Sequence, residues 1–244
     1  MPTYAVIIAA AGRAERFGGA EKKTLAKLDG RPVFLRSIEA FVSRNDVCQT
    51  ILAVAPEDMS TVKSQYGANL GFMRVALVEG GATRSATVTA ALAQVVKEAE
   101  FVAVHDAARP CVTADMVDAV FAEAVKTGAA ILASPITGTL KRVSESKVIE
   151  ETPPRLGLYE AQTPQAFRKD WLTQAYARLG EKSSEMTDDA SVVEALGQAV
   201  SIVISDPTNL KITTKGDITL AQAILKARPV RKAPRFGAFE EAQW

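Results

Sequence analysis

The sequence predicts an α/β fold: a mostly parallel, twisted sheet with helices on both faces and one extended β-arm. Three observations carry that expectation. Strand-like and helix-like patterns alternate from the start of the chain to residue 135. The strand-like runs, Val6-Ile-Ile8 first among them, are apolar in succession, as a strand covered on both faces requires. Helix-start and helix-stop residues such as Thr113 and Gly128 fall between the runs. Strands joined through helices imply right-handed crossovers and parallel pairing.

Residues 5–9 read as the first strand. Residues 32–42 follow as a helix, with Val33, Ser37 and Ala40 on one face and Phe34, Ile38 and Phe41 on the next. Residues 50–55 are a strand closed by Pro56, and residues 57–67 a short helix with Glu57 and Asp58 near its positive end. Residues 73–78 are the next strand. Residues 84–99 are a helix rich in Ala and Val, with Thr83 as its N-cap. Residues 101–105 are an apolar strand. Thr113 caps a helix that runs to Lys126, and Gly128 is placed to stop it. Residues 129–135 are another strand.

The pattern changes at 136–160. Thr137, Thr139, Lys141 and Val143, then Val148 and Ile149, describe an extended arm with a turn at 144–147, and Pro153-Pro154 excludes helix. A hairpin packed on its own domain and an arm reaching a second subunit both fit; the residues alone favour the first. Residues 170–180 and 188–196 read as helices, 200–205 as a strand and 216–226 as a final helix. Residues 1–227 are thus expected to form one domain, with 136–160 protruding and 228–244 as an irregular tail.

Bulk properties remove several functions. A formal net charge of +1 argues against a general nucleic-acid binder. Cys48 and Cys111 are too few for a disulfide framework and sit in apolar contexts, which suggests buried free thiols in a reducing compartment. Strand material from Tyr4 leaves no room for a signal peptide, so a cytoplasmic protein is expected. No apolar run reaches membrane-spanning length. One histidine and two cysteines argue against zinc.

Sheets of this class bind ligands beyond the carboxyl ends of their strands. Gly12, Gly80-Gly81 and Asp106 each stand just past such an end. In the opening loop, Ala9 to Gly12 have almost no side chain, so a ligand can approach backbone N–H groups. Arg13, Arg16, Lys22 and Lys23 follow and suit a polyphosphate, with Arg16 and Lys23 the leading pair. The spacing is neither a dinucleotide fingerprint nor a P-loop. Asp106, ending an apolar strand before Ala107-Ala108, suits a magnesium ion shared with phosphates, or simply a turn cap. His105 reads as a structural residue rather than a base. Arg109 suits bracing backbone carbonyls or pairing with an acid. Gly80-Gly81 before a helix can present N–H groups to a ligand, with Thr87 one turn in. Thr139, Arg155, Thr163 and Lys211, with Gln162-Thr-Pro-Gln165 and Thr187-Asp188-Asp189, are scattered candidates with weak signals, and Arg155 and Lys211 read alone as surface charges.

Taken together, Ala10-Ala-Gly-x-x-x-Arg16, Gly80-Gly-x-x-Arg84, His105-Asp-Ala-Ala-Arg-Pro110, Thr163-Pro-Gln165, Thr187-Asp188 and Asn209-x-Lys-Ile-Thr213 resemble the 2-C-methyl-D-erythritol 4-phosphate cytidylyltransferase family, in order over residues 4 to 226. The resemblance implies a magnesium-dependent transfer of a cytidylyl group from CTP to methylerythritol phosphate with release of pyrophosphate, by in-line displacement without a covalent enzyme intermediate. It implies that Arg16 and Lys23 stabilise charge on the α-phosphate. Lys23 aligns without a gap to Leu28, Gly30 and Pro32, and Lys22 is the rival. It further implies that Ala10, Ala11, Gly12, Gly81 and Thr87 bind CTP and that Asp106 holds the metal. Thr139, Arg155 and Lys211 would form the polyol phosphate pocket. The 136–160 arm would cross to a partner in a homodimer, so that Arg155 acts in trans, against the preference from the residues alone.

Some positions depart from the family pattern. Ala9 stands where proline is common, Ala82 where an acid is common, and Lys23-Thr-Leu-Ala replaces Lys-Gln-Phe-Leu. Two rival readings therefore stay open at this point: a cytidylyltransferase for another polyol phosphate such as ribitol 5-phosphate, and a nucleotide-binding regulator without catalysis.

Overall fold

The computed structural model describes residues 2–12, 17 and 25–228. The elements run in the order β1 (Tyr4–Ala9), β2 (Lys27–Leu28), β3 (Arg31–Pro32), α1 (Val33–Glu39), β4 (Val47–Val54), α2 (Pro56–Phe72), β5 (Val75–Glu79) and α3 (Arg84–Leu92). Then follow β6 (Phe101–Asp106), α4 (Ala114–Thr127), β7 (Ala129–Pro135), β8 (Arg142–Val143), β9 (Ile149–Glu151), β10 (Tyr159–Arg168) and α5 (Lys169–Leu179). A 3-10 turn (Gly180–Glu185), α6 (Asp189–Glu194), β11 (Ser201–Ile204) and α7 (Lys215–Ala227) complete the described chain.

Seven strands form the main sheet in the order β11-β7-β10-β6-β1-β4-β5. All neighbours are parallel except β10, which runs antiparallel to both β6 and β7. The sheet is buried on both faces because its strands put apolar residues at odd and even positions alike. Val6, Ile8, Leu52, Ala103 and Leu132 meet Phe34 and Ile38 of α1, Val62 and Leu70 of α2 and Val117 and Phe121 of α4. Ile7, Ile51, Val102, Val104 and Ile131 face the other way, to Val88 of α3, Leu172 of α5 and Val193 of α6. Each fully buried Leu, Ile or Phe contributes about 2 kcal/mol relative to an exposed one. Thr83 and Thr113 cap α3 and α4 by accepting from Ala86 N at 3.0 Å and Met116 N at 3.2 Å. Gly128 ends α4 with a φ of +90°, and a Cβ there would lie 2.5 Å from the Trp171 ring.

Several elements differ from the sequence expectation for identifiable reasons. The helix α2 passes through Gly67 because Met59, Val62, Tyr66, Leu70 and Met73 keep one apolar face against the core. The helix α3 stops at Leu92 rather than at residue 99. Gln49 takes over the chain there, donating to the Gln94 carbonyl and accepting from Val96 N, each at 2.9 Å. The strand β10 is not expected from the sequence, since Pro164 interrupts it. The sheet accommodates that proline as a register shift between Ala161 and Gln165. Cys48 is exposed rather than buried, because it lies near the start of β4, before the strand enters the core at Thr50.

The 136–160 segment does form a hairpin, with β8 and β9 joined by a turn in which Ser144 N donates to the Val148 carbonyl at 2.9 Å. It does not pack on its own domain. Val143, Val148, Ile149, Leu156 and Leu158 are all exposed, because β8 and β9 pair only with each other and leave that apolar face uncovered. No helix among the described residues is long and apolar enough to cross a membrane.

Candidate functional site

Three backbone hydrogen bonds continue the parallel ladder past the strand ends. Gly80 N donates to Val54 O at 2.7 Å, Ala10 N to Ala53 O at 2.8 Å and Ala107 N to Ala9 O at 3.1 Å. They line up the loops after β5, β1 and β6 on one rim of the sheet. Ala9 pairs directly with Asp106, so the opening loop starts opposite that carboxylate.

The glycine loop is shaped by packing. A Cβ on Gly80 would meet the Thr87 methyl at 2.8 Å, and one on Gly81 would meet Ala86 Cβ at 2.4 Å. The Thr87 hydroxyl donates to the Thr83 carbonyl at 2.8 Å and accepts from Gly81 N at 3.2 Å, so it closes the loop while lining the pocket. Gly12 is different: a Cβ there would meet nothing within 4 Å among the described residues.

Asp106 is the electrostatic centre. Its Oδ2 lies 2.7 Å from Lys211 Nζ and 3.6 Å from Arg109 Nε, and its Oδ1 lies 3.7 Å from Arg84 Nε. Burial alone pushes this carboxyl up, but Lys211, Arg84 and Arg109 overcome burial and hold it well below the usual carboxylate range. It is therefore ionised at neutral pH. Arg84 stays beyond hydrogen-bond length of Oδ1. Among the described residues no three His, Cys, Asp or Glu side chains cluster as a metal cage, so oxygens of a ligand would have to complete such a site.

Arg109 and Lys211 are aimed by the backbone around them. Arg109 Nη1 donates to the Asn209 carbonyl at 2.7 Å. Asn209 is fully buried and donates to Gln162 Oε1 at 3.0 Å and the Thr163 carbonyl at 2.9 Å. Ile212 N donates to Ala108 O at 2.8 Å, so the segment carrying Lys211 is pinned to the loop after β6.

His105 is fully buried beneath the rim. Its Nε2 faces the Arg109 carbonyl at 3.1 Å and must donate to it. Nδ1 then accepts from Thr163 Oγ1 at 3.1 Å, while that hydroxyl accepts from Asp106 N at 3.0 Å. Burial pushes the imidazole pKa down to about 4, against the opposing pull of Asp106. This places a neutral structural histidine behind the acid, not a base in front of it. A testable consequence follows from linkage. The unfolded chain binds a proton on His105 below about pH 6.5 and the folded chain does not, so stability falls as pH drops through that window. About 2 kcal/mol is expected to be lost between roughly pH 6.5 and 5. His105 is the only histidine in the chain, so its NMR titration is unambiguous. A midpoint near 4 is expected, and one near about 6.5 would contradict the burial argument.

Two pockets meet at Asp106. One is lined by Ala9, Ala10, Ala11, Gly12, Arg84, Thr87, Asp106, Ala108 and Lys211. The other is lined by Arg84, Asp106, Arg109, Ala161, Thr163, Gln165, Thr187, Asp188 and Lys211. Arg84, Asp106 and Lys211 form the wall common to both. The structure thus brings together Ala10, Ala11, Gly12, Thr87, Asp106 and Lys211, with Gly81 tied in through Thr87. It does not bring Thr139 or Arg155 to this wall; both sit on the exposed arm, where Arg155 donates to the Thr137 carbonyl. Arg13, Arg16, Lys22, Lys23 and the tail from 229 lie outside the described residues. Sequence reasoning names Arg84 and Gln165 only within motifs, after two glycines and after Thr163-Pro164, and gives neither a role.

The family model described as 2-C-methyl-D-erythritol 4-phosphate cytidylyltransferase matches residues 4–227. A protein of that name from Rhodopirellula baltica is 44% identical over 234 residues, covering 91% of this chain and 95% of its own. One from Dechloromonas aromatica is 40% identical over 235 residues, covering 93% and 100%. The crystal structure of the 2-C-methyl-D-erythritol 4-phosphate cytidylyltransferase from Thermus thermophilus superposes with a TM-score of 0.76 at 31% identity, covering 91% of this chain and 98% of that one.

Proposed function

The chain belongs to the 2-C-methyl-D-erythritol 4-phosphate cytidylyltransferase family, and from that premise we propose how its site carries out the transfer of a cytidylyl group from CTP to 2-C-methyl-D-erythritol 4-phosphate. The observation that carries the reading is the common wall. Two pockets that share Arg84, Asp106 and Lys211 suit two phosphorylated substrates whose reacting ends must meet. CTP occupies the pocket of Ala10, Ala11, Gly12 and Thr87, with Gly81 beside it. The polyol phosphate occupies the pocket of Arg109, Thr163 and Lys211.

In the reaction an acceptor phosphate oxygen bonds to the α-phosphorus of CTP and the bond to the β-phosphate oxygen breaks, releasing pyrophosphate. Asp106 would hold magnesium, and the metal would supply charge neutralisation on the triphosphate. Lys211 holds the acceptor phosphate at the wall. Arg16 and Lys23, which lie outside the described residues, are the groups assigned to stabilise the growing charge on the α-phosphate. Thr139 and Arg155 reach a partner's acceptor pocket in a homodimer. That assembly is supported by the uncovered Val143, Val148, Ile149 and Leu156 of the arm. The free thiols of Cys48 and Cys111 support a cytoplasmic setting.

Pyrophosphate release, measured with CTP, magnesium and a panel of polyol phosphates, tests the reading. Turnover of methylerythritol phosphate is expected, with ribitol 5-phosphate inert. Turnover of ribitol 5-phosphate alone, or CTP binding with no pyrophosphate from any acceptor, would overturn it.

A further inference from the structure

We propose that Asp189 is a positioning residue for this reaction: it holds the Arg84 guanidinium back from Asp106 and so keeps Oδ1 of Asp106 available to a divalent cation. The proposal rests on the reading of Asp106 as the metal ligand.

Arg84 stands between two carboxylates. Its Nη2 is 2.5 Å from Asp189 Oδ2, while its Nε is 3.7 Å from Asp106 Oδ1. The shorter contact goes to the more deeply buried acid: the Asp189 side chain is completely shielded, and that of Asp106 is 11% exposed. A fully shielded carboxylate binds a guanidinium strongly, because the carboxylate has no water as an alternative partner. Tyr176 adds a second partner, donating from its hydroxyl to Asp189 Oδ1 at 2.6 Å. The backbone behind this pair is also held. Gln165 Oε1 accepts from Asp189 N at 3.1 Å and Ala190 N at 3.0 Å, and Gln165 Nε2 donates to Asp188 Oδ2 at 2.8 Å. Gln165 belongs to β10, beside the strand that ends in Asp106. The start of α6 is therefore registered against the rim, and Arg84 is held at a fixed reach.

Without the Asp189 charge, Asp106 is the carboxylate still paired with Arg84 among the described residues. A guanidinium that closes on Oδ1 competes with any cation for that oxygen. Groups that orient a ligand set typically change metal affinity by roughly 10–100-fold when removed. Asp189→Asn is expected to raise the dissociation constant of Mn2+ from the protein–CTP complex about tenfold, read by electron paramagnetic resonance. The metal concentration giving half-maximal activity should rise in parallel, with kcat at saturating metal within about threefold of the parent. Tyr176→Phe removes one hydrogen bond and leaves the charge, so a shift of about threefold in the same direction is expected; it carries the test if Asp189→Asn does not fold. In an Arg84→Met background the Asp189→Asn effect should vanish, since the guanidinium it acts through is gone.

Unchanged Mn2+ affinity in both Asp189→Asn and Tyr176→Phe, with Asp106→Asn weakened, overturns the proposal and leaves the metal reading standing. An Asp189→Asn effect undiminished by Arg84→Met also overturns it. Unchanged affinity in Asp106→Asn removes the metal reading and this proposal with it.

Discussion

Asp106→Asn is expected to lower turnover about a thousandfold, the scale for losing a principal charge-stabilising group. The substitution conserves shape and removes charge. It leaves Lys211, Arg84 and Arg109 around a neutral amide. Removing one partner from a buried ion cluster costs about 3 kcal/mol of stability. The pH dependence has a definite sign. The folded-state pKa of Asp106 lies below its unfolded value, with burial opposing and the three cations prevailing. Its contribution is therefore present above about pH 4 and is lost as pH falls below that. The parent and Asp106→Asn should differ in melting temperature near neutral pH and converge in acid. A magnesium titration of turnover identical to the parent would remove Asp106 from the metal site.

Lys23→Ala is expected to lower kcat by about two to four orders of magnitude, with a much smaller change in KM for CTP. That split is the signature of a group acting on transition-state charge, since a uniform binding contribution would appear in KM. Lys22→Ala is the control and should stay near the parent. If Lys22→Ala carries the loss and Lys23→Ala does not, the loop is aligned one residue out.

What the sequence reveals and what it conceals divide along physical lines. The apolar runs at Val6–Ile8 and 101–105 identify strands because burial on both faces leaves no other composition available. The caps at Thr83 and Thr113 and the stop at Gly128 are legible because capping is decided within a few residues. The rim position of Gly12, Gly80 and Asp106 follows from strand ends alone. The antiparallel β10 is not legible, since Thr163-Pro164 sits where a strand signal should be unbroken. The network of Arg84, Asp189 and Tyr176 is not legible either. Arg84 and Asp189 are 105 positions apart, and nothing local in either segment announces the other. The sequence leaves Arg109 between bracing carbonyls and pairing with an acid, and in the folded chain it does both. Gly81 is expected to expose its N–H to a ligand; that N–H goes to Thr87 instead, and the missing side chain is required by Ala86.

The account turns on one metal-bound triphosphate lying between the opening loop and Asp106. X-ray diffraction from crystals grown with CTP and Mn2+ tests this directly, through the anomalous signal of the metal. The expected result is a peak about 2.2 Å from an Asp106 carboxylate oxygen, shared with triphosphate oxygens, and cytosine against Ala10, Ala11 and Gly12. A nucleotide bound elsewhere, or a metal peak that leaves Asp106 paired with Lys211 and Arg84 alone, would contradict it.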